Sequence, residues 1–223
     1  MHRFRLLTAD DLPALHAAHD AVSQALPDPT SFRLFGGAQV FFRDHFGARG
    51  QSVGVFDEAG LVAYGAITRP AYTDTDNYAR DAGWSAERAA HVVTLSAAFV
   101  HPRARGQGLH RLLITTRLAL LAPRDQDVLA RAAPGNQVSR HNFFKSGLVL
   151  IWAGRQSEGS LRQVYWRTRA QAAMDPAWRQ DFEPQWVHQL DIAAQQACLG
   201  QGLVGAIGKG EEIGFLPAMP TNA

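Results

Sequence analysis

The stretch FVHPRARGQGLHRLL (Phe99–Leu113) constrains this chain more than any other. Apolar residues run up to Val100, Pro102 discourages continuation of a strand ladder, and leucines at helical spacing begin at Leu109. A strand must therefore become a helix across Arg103–Gly108. The first N–H groups of a helix have no partners within it, and with the helix dipole they form an anion site. Gly106 and Gly108 have no side chain to keep an anion away and permit φ > 0, while Arg103 and Arg105 add positive charge. The loop suits a phosphate. The plainer reading of the same residues is a glycine turn with solvated arginines. It is not a P-loop, since no Gly-Lys-Ser/Thr follows, and it lacks the third glycine and later carboxylate of a dinucleotide fingerprint.

Strands and helices flank this loop on both sides. Arg3–Leu7 reads as a strand; Thr8 can cap a following helix, with Asp10 and Asp11 in its first turn and Leu12, Leu15, Ala18, Val22 and Leu26 on one face. Pro27–Ser31 breaks it, and a second helical stretch covers about Ala38–Phe46. Ser52–Thr68 is a hairpin around Asp57–Gly60. Arg69–Arg88 is a long polar excursion with some helix. His91–Val100 reads as a buried strand, Leu109–Ala122 as an amphipathic helix, and Asp127–Ala133 as a strand ended by Pro134–Asn136. Gln137–Ser146 is helical, Gly147 closes it, and a final hairpin turns at Ser157–Ser160.

Composition shifts after Arg169, so residues 1–169 form the main domain and 170–223 an extension. In the extension Val187–Leu199 can be helical, and GQGLVGAIGKGEEIGFLP is a glycine-rich hairpin or loop. Trp178, Phe182, Trp186 and Leu190 would share a helix face, interrupted by Pro184, and are expected to pack on the core or on a second subunit as a homodimer.

Hydrophobic residues at 46% are enough for a sizeable core. The net charge of +2 is not gathered into a basic run, so no nucleic-acid partner is expected. Cys198 is the lone cysteine and implies no disulfide or oxidising compartment; it reads as a small buried hydrophobe. The N-terminus lacks a signal-peptide core, and the longest apolar run, LLITTRLALLA, is broken by Arg117 and too short to span a bilayer. A cytoplasmic protein without a membrane partner is expected. The nine histidines show no metal spacing, so no metal is expected.

Arg103-Ala-Arg-Gly-Gln-Gly108, preceded by VHP, resembles the Arg/Gln-x-x-Gly-x-Gly/Ala motif of the GCN5-related N-acetyltransferase (GNAT) superfamily, between its fourth strand and third helix. Asn136–Leu148, NQVSRHNFFKSGL, resembles that family's Asn-x-x-Ala/Ser-x-x-x-Tyr-x-x-x-Gly-Phe pattern after the fifth strand. The order of elements also agrees from Arg3 to about Arg169. The resemblance implies an α/β fold, a mixed, mostly antiparallel sheet flanked by helices. It also implies binding of acyl-CoA, usually acetyl-CoA, and transfer to a primary amine on a small molecule or a protein. The loop from Arg103 through Arg105, Gly106, Gln107 and Gly108 would hold the diphosphate, with Leu109, His101 and His110 beside it. Pantetheine would bond to the backbone of Ala98–Val100 as an added strand, with an N–H near Phe99 or Val100 facing the acyl oxygen. Asn136, Ser139 and Phe143 would line the other side of the cleft.

Two departures bear on the chemistry. The position where many members carry a Glu base is Thr94, and the position of the Tyr that protonates the thiolate is Phe143; Leu148 also replaces the usual Phe. Proximity alone can supply much of the barrier. Otherwise His91, Ser139, or Tyr72, Asp74 and Asp76 of the excursion substitute. Failing both, the domain binds acyl-CoA without transfer. The plain alternative for His91 is a surface histidine, and for His141 the solvent face or the adenine rim. Acceptor candidates are Asp28 and Ser31, between the first two helices, and Tyr72, Asp74 and Asp76 in the excursion, whose plain alternative is a solvated loop. A nucleic-acid-modifying member of the same fold is a third, weaker idea.

Overall fold

The computed structural model describes residues 2–26, 37–74, 77–156, 159–169 and 180–218. In chain order these form β1 (Arg3–Leu6), α1 (Leu12–Gln24), α2 (Gly37–Arg43), β2 (Gly50–Asp57), β3 (Gly60–Thr68), α3 (Ala86–Ala89), β4 (Val92–Val100) and α4 (Leu109–Ala119). There follow β5 (Asp127–Ala132), α5 (Gln137–Lys145), β6 (Val149–Arg155), β7 (Leu161–Thr168), β8 (Gln185–His188), α6 (Ile192–Gly200), β9 (Leu203–Lys209) and β10 (Glu212–Pro217). They divide into two units: Met1–Ala71 with Val93–Pro123, and Tyr72–Val92 with Arg124–Ala223.

In the first unit the strands lie in the order β1-β2-β3-β4, each pair antiparallel. Thr8 precedes a short 3-10 turn rather than α1 itself, and the Asp11 carboxylate takes the Thr8 N–H at 2.9 Å while forking onto Arg5. One apolar cluster joins Leu15 and Val22 of α1 and Phe42 of α2 to Tyr64 and Phe99. Another joins Leu109 and Leu113 of α4 to Val53, Val55 and Val62. The β3–β4 ladder carries a bulge. Ala98 faces Gly65 and Leu95 faces Ile67, so Ser96 and Ala97 together oppose Ala66.

In the second unit the order is β5-β7-β6-β9-β10-β8, and every pairing described within it is antiparallel. The polar excursion is not a solvated loop throughout. Tyr78, Ala79 and Ala89 are buried against Leu129 and Val164. Arg88 lies 3.5 Å over the Trp84 ring and forks onto Asp127 at 3.0 Å, which also takes the Trp166 indole N–H at 2.6 Å.

The extension differs from expectation. Val187–Leu199 is not one helix: residues 185–188 form the edge strand β8, paired with β10, and α6 begins only after Asp191, whose carboxylate accepts the Ala194 N–H at 2.9 Å. Phe182, Trp186 and Leu190 share no helix face and stay 43%, 39% and 59% exposed in this chain; Trp178 lies outside the described residues. The glycine-rich stretch is the β9–β10 hairpin. β9 meets β6 where Gly205 faces Leu150, and a Cβ on Gly205 would lie 2.9 Å from the Leu150 Cβ. Buried Arg140 on α5 ties the hairpin turn down, donating to Gly210 O at 2.7 Å and to Gln189 Oε1. Cys198 is buried, as expected.

Candidate functional site

The loop after β4 is pinned at both ends and open between them. Ala104 and Leu109 are both buried in the α4 cluster, while Arg105, Gly106, Gln107 and Gly108 are exposed. Gly106 and Gly108 have φ of 77° and 73°, a backbone that favours glycine. A Cβ built on either would meet nothing within 4 Å, so the space above them is clear. Gly108 begins α4, and no side chain caps the helix there. A helix N-terminus without a side-chain cap, approached over bare glycine, is a competent anion site.

The two arginines differ, which corrects the expectation that both lend charge to the loop. Arg103 is committed to Asp57 at the end of β2, through Nε–Oδ2 and Nη2–Oδ1 contacts of 3.1 and 3.0 Å. That fork holds the Asp57 carboxyl below its ordinary range. Arg105 is exposed and forms no ion pair among the described residues. Burial, with Arg117 second, pushes His110 down to about 4, and burial followed by Arg103 lowers His101. Half-buried at the start of α4, His110 is thus held toward its uncharged form. His101 accepts the Arg103 N–H at 3.3 Å.

Ala98, Phe99 and Val100 pair with Gly65, Tyr64 and Ala63 of β3. Phe99 is buried with its ring 5.3 Å from Tyr64, and Ala98 and Val100 are half-buried. Thr94, where a base would stand, is wholly buried, and its hydroxyl has no hydrogen-bond partner among the described residues.

A polar constellation absent from the sequence reading lies beneath β3. The Tyr64 hydroxyl is 2.6 Å from His45 Nδ1 and 3.4 Å from Ser52 Oγ, which donates to the His45 carbonyl at 3.0 Å. Burial, then the charge of Arg117, pushes His45 down to about 4, and burial raises the Tyr64 phenol. Tyr64→Phe would leave His45 Nδ1 buried and unpaired. It is expected to cost about 1–3 kcal/mol of stability in denaturant unfolding.

In the second unit Asn136 caps α5, its Oδ1 accepting the Ser139 N–H at 3.0 Å. Ser139 is half-buried; Phe143 is buried with its ring 5.0 Å from Tyr165. Tyr165 does not replace the missing acid: it is fully buried, its hydroxyl donates to Gln163 at 2.8 Å, and burial raises its pKa. His91 is exposed in the turn before β4, its carbonyl taking the Gln126 and Asp127 N–H groups. Tyr72 is exposed and donates to the Trp84 carbonyl at 3.2 Å, and Asp74 is half-buried. Asp28, Ser31 and Asp76 lie outside the described residues. A shallow cleft of about 300 Å³ is lined by Gln137, Arg140, exposed His141, Asn142, Gly208 and Gly210. No sequence signal pointed to it, because it joins α5 to a hairpin far along the chain.

Among the described residues no helix is long and apolar enough to cross a membrane. No protein-family model matches the chain, and no curated protein does. Solved structures do match. NAA60 of Arabidopsis thaliana, solved in complex with acetyl-CoA, superposes with a TM-score of 0.57 at 11% identity, over 75% of this chain and 98% of that one. The ribosomal-protein-S18-alanine N-acetyltransferase of Escherichia coli gives 0.55 at 14% identity, over 78% and 98%. An N-acetyltransferase of Staphylococcus aureus gives 0.56 at 10%, over 77% and 99%. The chain is similar to these in fold, the mixed, mostly antiparallel sheet with flanking helices that the motifs implied.

Proposed function

We propose that this chain, which has the GNAT fold, is a cytoplasmic acyl-CoA-dependent N-acyltransferase that moves an acetyl group from acetyl-CoA to a primary amine. The observation that carries the reading is the loop Arg105–Gly108: exposed, bare at both glycines, and opening α4 with no side-chain cap. Its amides suit the diphosphate, and Arg105 suits the same charge. β4 runs directly into this loop, so a pantetheine arm leaving the diphosphate would follow Ala98–Val100. The amine nitrogen would attack the thioester carbonyl carbon, the C–S bond would break, and the amine proton would leave as the CoA thiolate is released and protonated. An N–H of Phe99 or Val100 would face the developing oxyanion. Proximity supplies most of the rate in this scheme, with His91 and Ser139 as candidates for moving the proton. Tyr72 and Asp74 are the acceptor candidates among the described residues.

The buried Thr94 and Phe143 favour a second reading, a non-catalytic acyl-CoA-binding module. A thiol-release assay with acetyl-CoA across a panel of amines separates the two. Turnover with any amine supports the enzyme; tight CoA binding without turnover supports the module; no CoA binding refutes both. Because Arg103 is spent on Asp57, Arg105→Glu is expected to weaken CoA about tenfold more than Arg103→Ala does. Equal losses in calorimetric titration would contradict the division of labour between the two arginines.

A further inference from the structure

Arg117 is a cation that the acyltransferase reading leaves unused. It lies in the last turn of α4, is 1% exposed, and is among the largest fully buried side chains described. Among the described residues it pairs with no carboxylate. Its Nε donates to the Leu113 carbonyl at 3.1 Å, within its own helix. Its Nη1 donates to the carbonyls of Ala66 in β3, at 3.0 Å, and Ser96 in β4, at 3.2 Å. Those residues stand at the bulge, where two residues of β4 oppose one of β3 and the regular ladder is interrupted. Gly65 makes room for the guanidinium: a Cβ there would lie 3.0 Å from its Cζ and Nε. Burying a charge without a counter-ion is costly, and an apolar side chain would fill the same space without that cost. Packing alone therefore does not account for an arginine here. Burial lowers its pKa to about 10, which leaves it charged at neutral pH.

We propose that Arg117 is a positioning residue: by holding the carbonyls of Ala66 and Ser96 it fixes the β4 bulge, and so sets where Ala98–Val100 present their backbone to the pantetheine arm of acyl-CoA. The proposal rests on the acyl-CoA reading of β4. A bulge re-aims the strand beyond it, and Ala98 is only two residues on from Ser96. The diphosphate loop is held separately, by burial of Ala104 and Leu109. The two halves of the coenzyme should therefore respond differently to a change at Arg117.

The test compares two ligands, CoA and ADP carrying a 3′-phosphate, which keeps the diphosphate but lacks pantetheine. Arg117→Met keeps an unbranched apolar stem and removes the donors. It is expected to raise the Kd of CoA about tenfold while that of the truncated nucleotide stays within about twofold. Amide hydrogen exchange should quicken at residues 65–67 and 95–98 and not along α1. Arg117→Lys should recover part of both effects. Should Arg117→Met fail to fold, Gly65→Ala, which crowds the guanidinium without removing it, carries the same test. A folded variant with unchanged CoA affinity and unchanged exchange at 95–98 overturns the role of Arg117, as does an equal loss for both ligands. If the unaltered chain binds neither ligand, the acyl-CoA reading itself falls, and this proposal with it.

Discussion

Gly108→Val is expected to raise the Kd of CoA at least about 100-fold. Gly108 has φ of 73° and begins α4. A β-branched residue in that left-handed conformation costs roughly 1–2 kcal/mol. The loop would relax away from it and turn its amides off a common point. Each charge-assisted hydrogen bond lost to the diphosphate costs about 1.5–3 kcal/mol, so two such losses already exceed a hundredfold. Gly108 is exposed and a Cβ there meets nothing, so the core should survive. Thermal melting within a few degrees of the unaltered protein, beside lost calorimetric binding, is the expected pair of results. Retained CoA affinity would remove the loop from the site.

Acid is expected to destabilise the first unit sharply, with most of the loss between about pH 6.5 and pH 4. His45 is 4% exposed, and burial takes it from an ordinary 6.5 to about 4. Between those values the unfolded chain holds the proton and the folded chain does not. Stability is therefore full above about 6.5, falls as pH drops, and levels off below about 4. His45 alone accounts for a fall on the order of 3 kcal/mol. His110 moves in the same direction but is only half-buried, so its share should be smaller. Urea midpoints across this range measure the fall directly. His45→Asn should flatten it; an undiminished fall in that variant would assign the acid sensitivity elsewhere.

Local signals in the sequence were sufficient for much of the fold. The β-rich runs around Asp57–Gly60 and the apolar run His91–Val100 became β2, β3 and β4, and the β2–β3 turn closed at Gly60 with φ of 119°. The chemistry of Gly106 and Gly108 is equally local. What stayed hidden depends on distant partners. Arg103 reads as a free cation until Asp57, 46 residues earlier, is folded beside it. Arg117 reads as an interruption in an apolar run, yet its guanidinium binds a carbonyl 51 residues back. His45 and Tyr64 carry no pattern that joins them. In the extension, apolar spacing through Trp186 mimicked a helix, and β8 became a strand because β10 supplies its hydrogen bonds. The cap at Asp191 was a local signal and would have placed the start of α6 correctly.

Titrating CoA into isotope-labelled protein while following backbone amide resonances tests the central claim most directly. The account predicts saturable shifts concentrated at Arg105–Arg111, with smaller ones along Ala98–Val100. Saturable binding that leaves the Gly106 and Gly108 amides unmoved, or no binding at millimolar coenzyme, would contradict it.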